Sequence, residues 1–180
     1  MEESDETLMR NVVARDREAF DVLMKRYGRR LMALALNILR NPGSAEDVVQ
    51  EAFVRVWLRA DSFDAGQSQL TTWLHRIVVN LCIDHVRKQR LESDDELDFL
   101  PDHAPDAMGR ALDTERRDAV HRALRGLGVR HRAALTLFHF QELSGRECAA
   151  AMGISESAFE SLLTRARAAL RQSLHAYMET

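Results

Sequence analysis

Residues 72–90 read TWLHRIVVNLCIDHVRKQR. The apolar side chains Trp73, Leu74, Ile77, Val78, Leu81, Cys82 and Val86 recur at helical intervals, so one face of a helix is turned to a core. The other positions carry His75, Arg76, Asn80, Asp84, Arg87 and Lys88. That strip offers cations for phosphates, and amide and carboxylate groups for base edges, which are the two needs of nucleic-acid recognition. Further along, Ser144 to Arg171 read as a helix-turn-helix. Two such devices on one short chain point to a reader of nucleic acid.

Working outward, Leu8, Val12, Val13, Phe20, Leu23, Met24 and Tyr27 give one helical pattern, read as a helix over residues 5–27. Leu31, Leu34, Ala35, Ile38 and Leu39 give the next helix, stopped by Asn41-Pro42-Gly43. Ser44, with Asp47 three residues later, reads as a capping box opening a helix that buries Val48, Ala52, Phe53 and Val56. Residues 61–69, DSFDAGQSQ, read as a polar loop, and the long helix starts at Leu70.

After Arg90 the periodicity fails. The run with Pro101 and Pro105 is too charged to bury much surface and reads as an extended linker. Helices resume near Leu112, with Val120, Leu124 and Leu127 on one face and Leu135 and Phe138 on the next. Ser144 with Glu147 repeats the capping box, Gly153 allows the turn, and Ser155 or Ser157 caps the last helix. Its apolar face is Phe159, Leu162, Leu163, Ala166 and Leu170. The expected class is all-α: two small helical domains, residues 1–91 and 112–180, joined by an acidic linker over 92–111.

Composition agrees. A chain of 180 residues holds one medium domain or two small ones, and 8 Gly and 3 Pro leave little room for a turn-rich β fold. The net charge of -3 looks wrong for a DNA binder until it is located. Residues 91–109 hold seven acids (Glu92, Asp94, Asp95, Glu96, Asp98, Asp102, Asp106) and no Lys or Arg, so that segment carries -7 and the rest +4.

Cys82 and Cys148 lie far apart on apolar faces without metal-ligand spacing, and read as core residues. No P-loop, paired metal-spaced histidines or nucleophile elbow is present, so neither an enzyme nor a bound metal or cofactor is expected. No signal peptide or membrane-length apolar run appears, so a cytoplasmic protein with no membrane insertion is expected.

Three blocks in this order resemble the bacterial extracytoplasmic-function sigma factors, the smallest promoter-specificity subunits of RNA polymerase. AEDVVQEAFVRVW, residues 45–57, is similar to the family's polymerase-binding segment in sigma region 2. TWLHRIVVNLCIDHVR, residues 72–87, is similar to its minus-ten reader, and residues 143–171 to its minus-thirty-five reader in region 4. The resemblance implies that Asp47, Gln50, Glu51 and Arg55 meet the clamp helices of the polymerase's largest subunit. It implies that the second-largest subunit's flap and promoter DNA are further partners. Trp57 and Trp73 are each either core or contact residues.

For the minus-ten element, the resemblance implies that the loop with Asp61, Ser62 and Phe63 captures a flipped base. Asn80 suits an adenine edge and Asp84 a cytosine amino group, while Arg76, Arg87, Lys88 and Arg90 suit phosphates. His75 either touches the backbone or faces water. For the minus-thirty-five element, Ser155, Ser157, Ala158, Ser161, Thr164 and Arg165 lie off the apolar stripe, flanked by Arg167 and Arg171. Similar proteins commonly carry a threonine-valine-lysine-serine-arginine run here. This chain instead has Ala158-Phe159-Glu160-Ser161-Leu162, in which Glu160 replaces a cation and Arg146 is available as a substitute phosphate contact.

The linker is either a nucleic-acid mimic near the polymerase active site or a solvated spacer. The resemblance also implies an anti-sigma factor that wedges between the domains and covers both DNA faces. The competing reading is a sigma mimic that binds an anti-sigma factor and never touches DNA, motivated by Glu160 and the acidic balance. Retention of Arg76, Asn80, Asp84 and Arg87 argues against it.

Overall fold

The computed structural model describes residues 3–92, 123–124 and 126–178. The linker and the helix expected near Leu112, with Val120, lie outside the described residues. Among those residues the chain is helical, as expected, and forms no strand.

Helix α1, Asp5–Val13, begins at Ser4, whose side chain accepts from the Thr7 amide. It buries Leu8, Met9 and Val12. The Asp5 carboxylate binds the Arg26 guanidinium at 2.6 Å and accepts from the Tyr27 hydroxyl, tying α1 to the next helix. The expected helix over 5–27 is broken in the middle, and its second half runs on without a break into the helix expected from Leu31. Arg15 adopts φ 67°, and Asp16 caps α2, Arg17–Leu39, by accepting from the Glu18 and Ala19 amides. An aspartate cap competes with helix continuation because its side chain satisfies amides that would otherwise be orphaned.

Helix α3 is Pro42–Leu58. Its cap is Asn41, accepting from the Ser44 amide at 2.8 Å, rather than Ser44 itself. Pro42 then occupies the first turn, where its missing N–H is not needed. Phe20 meets Phe53 edge-on at 6.2 Å and Trp57 at 5.0 Å, locking α2 to α3. A short 3-10 turn, Ala60–Ser62, and the polar loop lead to α4, Leu70–Glu92.

The later part of the chain contains α5, Val129–Leu135, continued by a π-helical turn over Thr136–Phe140, then α6, Gly145–Met152, and α7, Glu156–Met178. The capping box at Ser144 and Glu147 is present in both directions. Gly153 turns the chain at φ 64°, a left-handed conformation that glycine adopts at no steric cost. Ser155 caps α7 by accepting from the Ala158 amide. Phe159, 1% exposed, is the centre of this packing and lies 6.5 Å from Phe138.

The two helical groups are not held apart. One continuous apolar cluster runs from Leu8 to Ala166. Helix α4 packs on α2 and α3 with one side and on α5 and α6 with another. Leu70, Leu74, Val78 and Leu81 form one buried stripe at helical spacing, and the buried residues Thr72, His75, Val79 and Cys82 form a second. Arg132 of α5 sits at this seam, 6% exposed, and donates from Nε to the Ile38 carbonyl of α2 at 2.5 Å. Arg30 of α2 donates to the Gln141 side chain at 2.8 Å and to its carbonyl at 3.1 Å.

Candidate nucleic-acid interface

The packing of α4 leaves one strip for solvent. Arg76, Asn80, Asp84, Arg87 and Lys88 are all exposed, at intervals that stack them along the helix. Asp84 and Arg87 approach to 3.8 Å, both well hydrated, a pairing too weak to withhold either from a ligand. Beside this strip opens a cleft of about 210 Å³ lined by Arg55, Arg59, Ser62, Trp73, Arg76, Ile77 and Asn80. Guanidinium groups from two helices stand over an apolar wall with one amide at its edge. That is the chemistry of a nucleobase with its phosphate.

The loop that borders the cleft is built by its own polar groups. The Ser62 hydroxyl donates to the Arg59 carbonyl at 2.7 Å, and the Asp64 carboxylate accepts from the Gly66 amide at 2.8 Å. Asp61 and Ser62 are exposed, whereas Phe63 is half-buried against Trp73 at 5.5 Å and acts as a strut. Trp73 is partly buried and also walls the cleft.

His75 departs from expectation. It neither faces water nor lies on the strip: it is 0% exposed, with both ring nitrogens lacking a hydrogen-bond partner. Burial, with Arg30 as the next contributor and Glu147 opposing, lowers its pKa to about 4. The helical period places residue 75 with the second buried stripe, which a single core face on α4 does not include.

On α3, Asp47, Gln50 and Glu51 are exposed as expected. Arg55 differs, being ion-paired to Glu51 at 2.9 Å while reaching the cleft beside Arg76. Sequence reasoning missed Val54 and Leu58, which are 52% and 60% exposed on the same side of α3. Their signal was available, since both are apolar yet fall off the buried stripe. An apolar patch within a charged rim is a protein-docking pattern. Trp57 packs against the core, under the Arg15 guanidinium at 5.4 Å from its ring.

In the helix-turn-helix, Arg146, Ser155, Ser157, Ala158, Glu160, Ser161, Thr164 and Arg165 are exposed. Ser155 is engaged as the cap, and the Arg165 Nε donates to the Ser161 carbonyl at 3.2 Å. Arg167 is drawn inward, lying 5.1 Å over the Phe138 ring and within 3.4 Å of the His139 ring nitrogen. Both cysteines are buried, and desolvation pushes each thiol up to about 12. Among the described residues no cluster of metal-ligating side chains occurs, and no helix is long and apolar enough to cross a membrane.

Comparison with known proteins meets this geometry at both ends. Residues 23–92 match sigma-70 region 2, and residues 117–170 match sigma-70 region 4. The chain is 37% identical to the ECF RNA polymerase sigma factor SigM of Mycobacterium tuberculosis, across 99% of this chain and 88% of that protein. It belongs to the extracytoplasmic-function sigma factors.

Two solved structures share its arrangement. One is the sigma factor RpoE in complex with the anti-sigma factor NepR from Bartonella quintana, with TM-score 0.71, 26% identity, and 87% of this chain and 96% of that one covered. The other is CnrH in complex with the cytosolic domain of CnrY, with TM-score 0.67, 26% identity, and coverage of 97% and 99%. Sigma factors are transcription regulators rather than enzymes.

Proposed function

We propose that this sigma factor seats residues 1–91 on the clamp helices of the polymerase's largest subunit through Asp47, Gln50, Glu51, Val54 and Leu58. It reads the minus-ten element with α4 and its cleft, and the minus-thirty-five element with residues 112–180 beneath the second-largest subunit's flap. Arg76, Arg87 and Lys88 hold phosphates, Asn80 and Asp84 read base edges, and the cleft between Arg59 and Asn80 takes an unstacked base. Ser62, from the loop that also carries Asp61 and Phe63, lines that cleft. Residues 92–111 are the tether, and the protein acts in the cytoplasm, where its polymerase is.

The observation that carries this reading is the uninterrupted exposed row from Arg76 to Lys88 beside an arginine-lined cleft of nucleobase size. Its test is run-off transcription with core polymerase on a library of upstream sequences. Specific initiation is expected, and Arg76→Ala with Asn80→Ala should weaken it by about ten- to a hundredfold, the worth of one or two base or phosphate contacts. If the double variant initiates as well as the parent, the residues named here are not the readers. If neither initiates but both bind an anti-sigma factor, the mimic reading replaces this one.

The same proposal includes an anti-sigma partner, supported by the two structural neighbours, each a complex. The seam between the helical groups is filled in this form by the chain's own Thr72, His75, Val79, Cys82 and Arg132, so the expected wedge between them requires the groups to separate. A partner on this packed form clasps its outer surface.

A further inference from the structure

His75 is the one fully buried ionisable side chain in the described residues whose two polar atoms have no protein partner, and it lies at the seam between the helical groups. The charged groups that face it are Arg30 on α2 and Glu147 on α6. Arg132 of α5 lies two turns along, beside Cys82. The neighbours therefore bring one positive and one negative charge to an imidazole that neither contacts by hydrogen bond. Neither ring nitrogen has an acceptor in the packed form, and the Glu147 carboxylate is committed to the Ser144 amide and hydroxyl.

The packed arrangement is also the wrong length for a promoter. On the reading proposed above, the two elements read are centred about 25 base pairs apart, on the order of 85 Å of straight duplex. A compact chain of 180 residues measures roughly 40 Å across. The two helical groups must separate at the seam before both elements can be read, and separation returns His75 to water.

We propose that His75 is a proton-sensitive catch on the seam: uptake of a proton by its ring expels it from between α2 and α6 and drives the two helical groups apart. The neutral ring tolerates the seam, because its unmet hydrogen bonds cost less than an unpaired buried charge would. A proton from solvent makes both ring nitrogens donors, and the only place they find acceptors is outside. Once outside, the imidazolium stands one residue from Arg76 at the head of the exposed cationic row. The residue that releases the seam then adds a positive charge to the minus-ten surface.

The sign follows from preferential proton binding by the separated form. In the packed form the ring titrates at about 4, and in water near the ordinary value of about 6.5. Lowering the pH from 7.5 to 5.5 should raise the ratio of separated to packed molecules about tenfold. Above pH 7.5 the ratio should be flat.

The test is single-molecule energy transfer on the full chain, without polymerase or DNA, so that its failure is distinct from failure of the promoter reading. Labels go on Gln67→Cys and Gln172→Cys, both exposed, since the native thiols are buried and unreactive. The parent should shift toward the long-distance state about tenfold over that pH range. His75→Leu, which cannot titrate, should show no shift, and His75→Gln serves in its place if the leucine variant loses its helical circular dichroism. A parent ratio that does not move, or one that moves equally in the variants, overturns the proposal. So does a shift accompanied by loss of helix, which would be acid unfolding rather than separation.

Discussion

Replacing Arg132 by methionine isolates the strongest polar tie across the seam. The Arg132 Nε donates to the Ile38 carbonyl at 2.5 Å, and Nη1 donates to the Leu127 carbonyl at 2.6 Å. Only the first crosses between the helical groups. Ile38 lies in the last turn of α2, and the residue four places ahead of it is Pro42, which has no N–H, so the guanidinium does for its carbonyl what a further turn would do. A charge-assisted hydrogen bond of this kind is worth about 1.5–3 kcal/mol. The cost of burying the guanidinium, which also pushes its pKa down, works against that gain and favours the lower end of the range.

Arg132→Met keeps the length and apolar stem of the side chain, so the seam should lose about 1.5 kcal/mol without gaining a cavity. That is roughly a tenfold rise in the separated-to-packed ratio at pH 7.5, readable by the same energy-transfer pair or by small-angle scattering. The lost Leu127 bond acts within the second helical group and should lower its melting temperature in both forms. A variant that melts earlier yet keeps the parent's distance distribution would refute the assignment of Arg132 to the seam.

Phe159→Ala should cost about 3–5 kcal/mol by denaturant unfolding, because a fully buried ring leaves a cavity under the helix-turn-helix. A loss below about 1 kcal/mol would show that α7 is not packed as described. Arg59→Ala should flatten the salt dependence of open-promoter stability by about 0.7 in log–log slope, the effect of one phosphate on single-stranded DNA, while leaving polymerase affinity intact. An unchanged slope removes Arg59 from the cleft's ligand set. The thiols of Cys82 and Cys148, raised by burial to about 12, should resist iodoacetamide at pH 8 in the native protein and react at once in denaturant. Rapid native alkylation of either would contradict its burial.

Local chemistry was legible wherever a side chain acts on its own neighbourhood. The Ser144–Glu147 box, the Gly153 turn and the loop before Leu70 needed nothing beyond a few adjacent residues. The errors at Asp16 and Asn41 are of one kind. At Asn41 the capping side chain lies one turn ahead of the boundary expected at Ser44, and at Asp16 it interrupts the middle of an expected helix; apolar periodicity does not register caps. Arg55 was placed on the polymerase face because helical spacing gives an angle around the axis, not how far a long side chain reaches. In the fold it bends toward the cleft while holding Glu51. Arg167 likewise lies on the expected side of α7, yet Phe138 and His139 hold it down.

What the amino acids determined alone is the all-helical class, the helix-turn-helix, the exposed cationic row on α4 and the family, since each is encoded in spacing and composition over a few turns. What only the tertiary structure decided is the second buried face of α4, and with it the fate of His75, Val79 and Arg132. A helix wrapped on two sides by partners distant in sequence has no single apolar stripe to announce it. The contact between the helical groups joins residues about a hundred positions apart, such as Ile38 with Arg132 and Arg30 with Gln141, and periodicity carries no information over that separation.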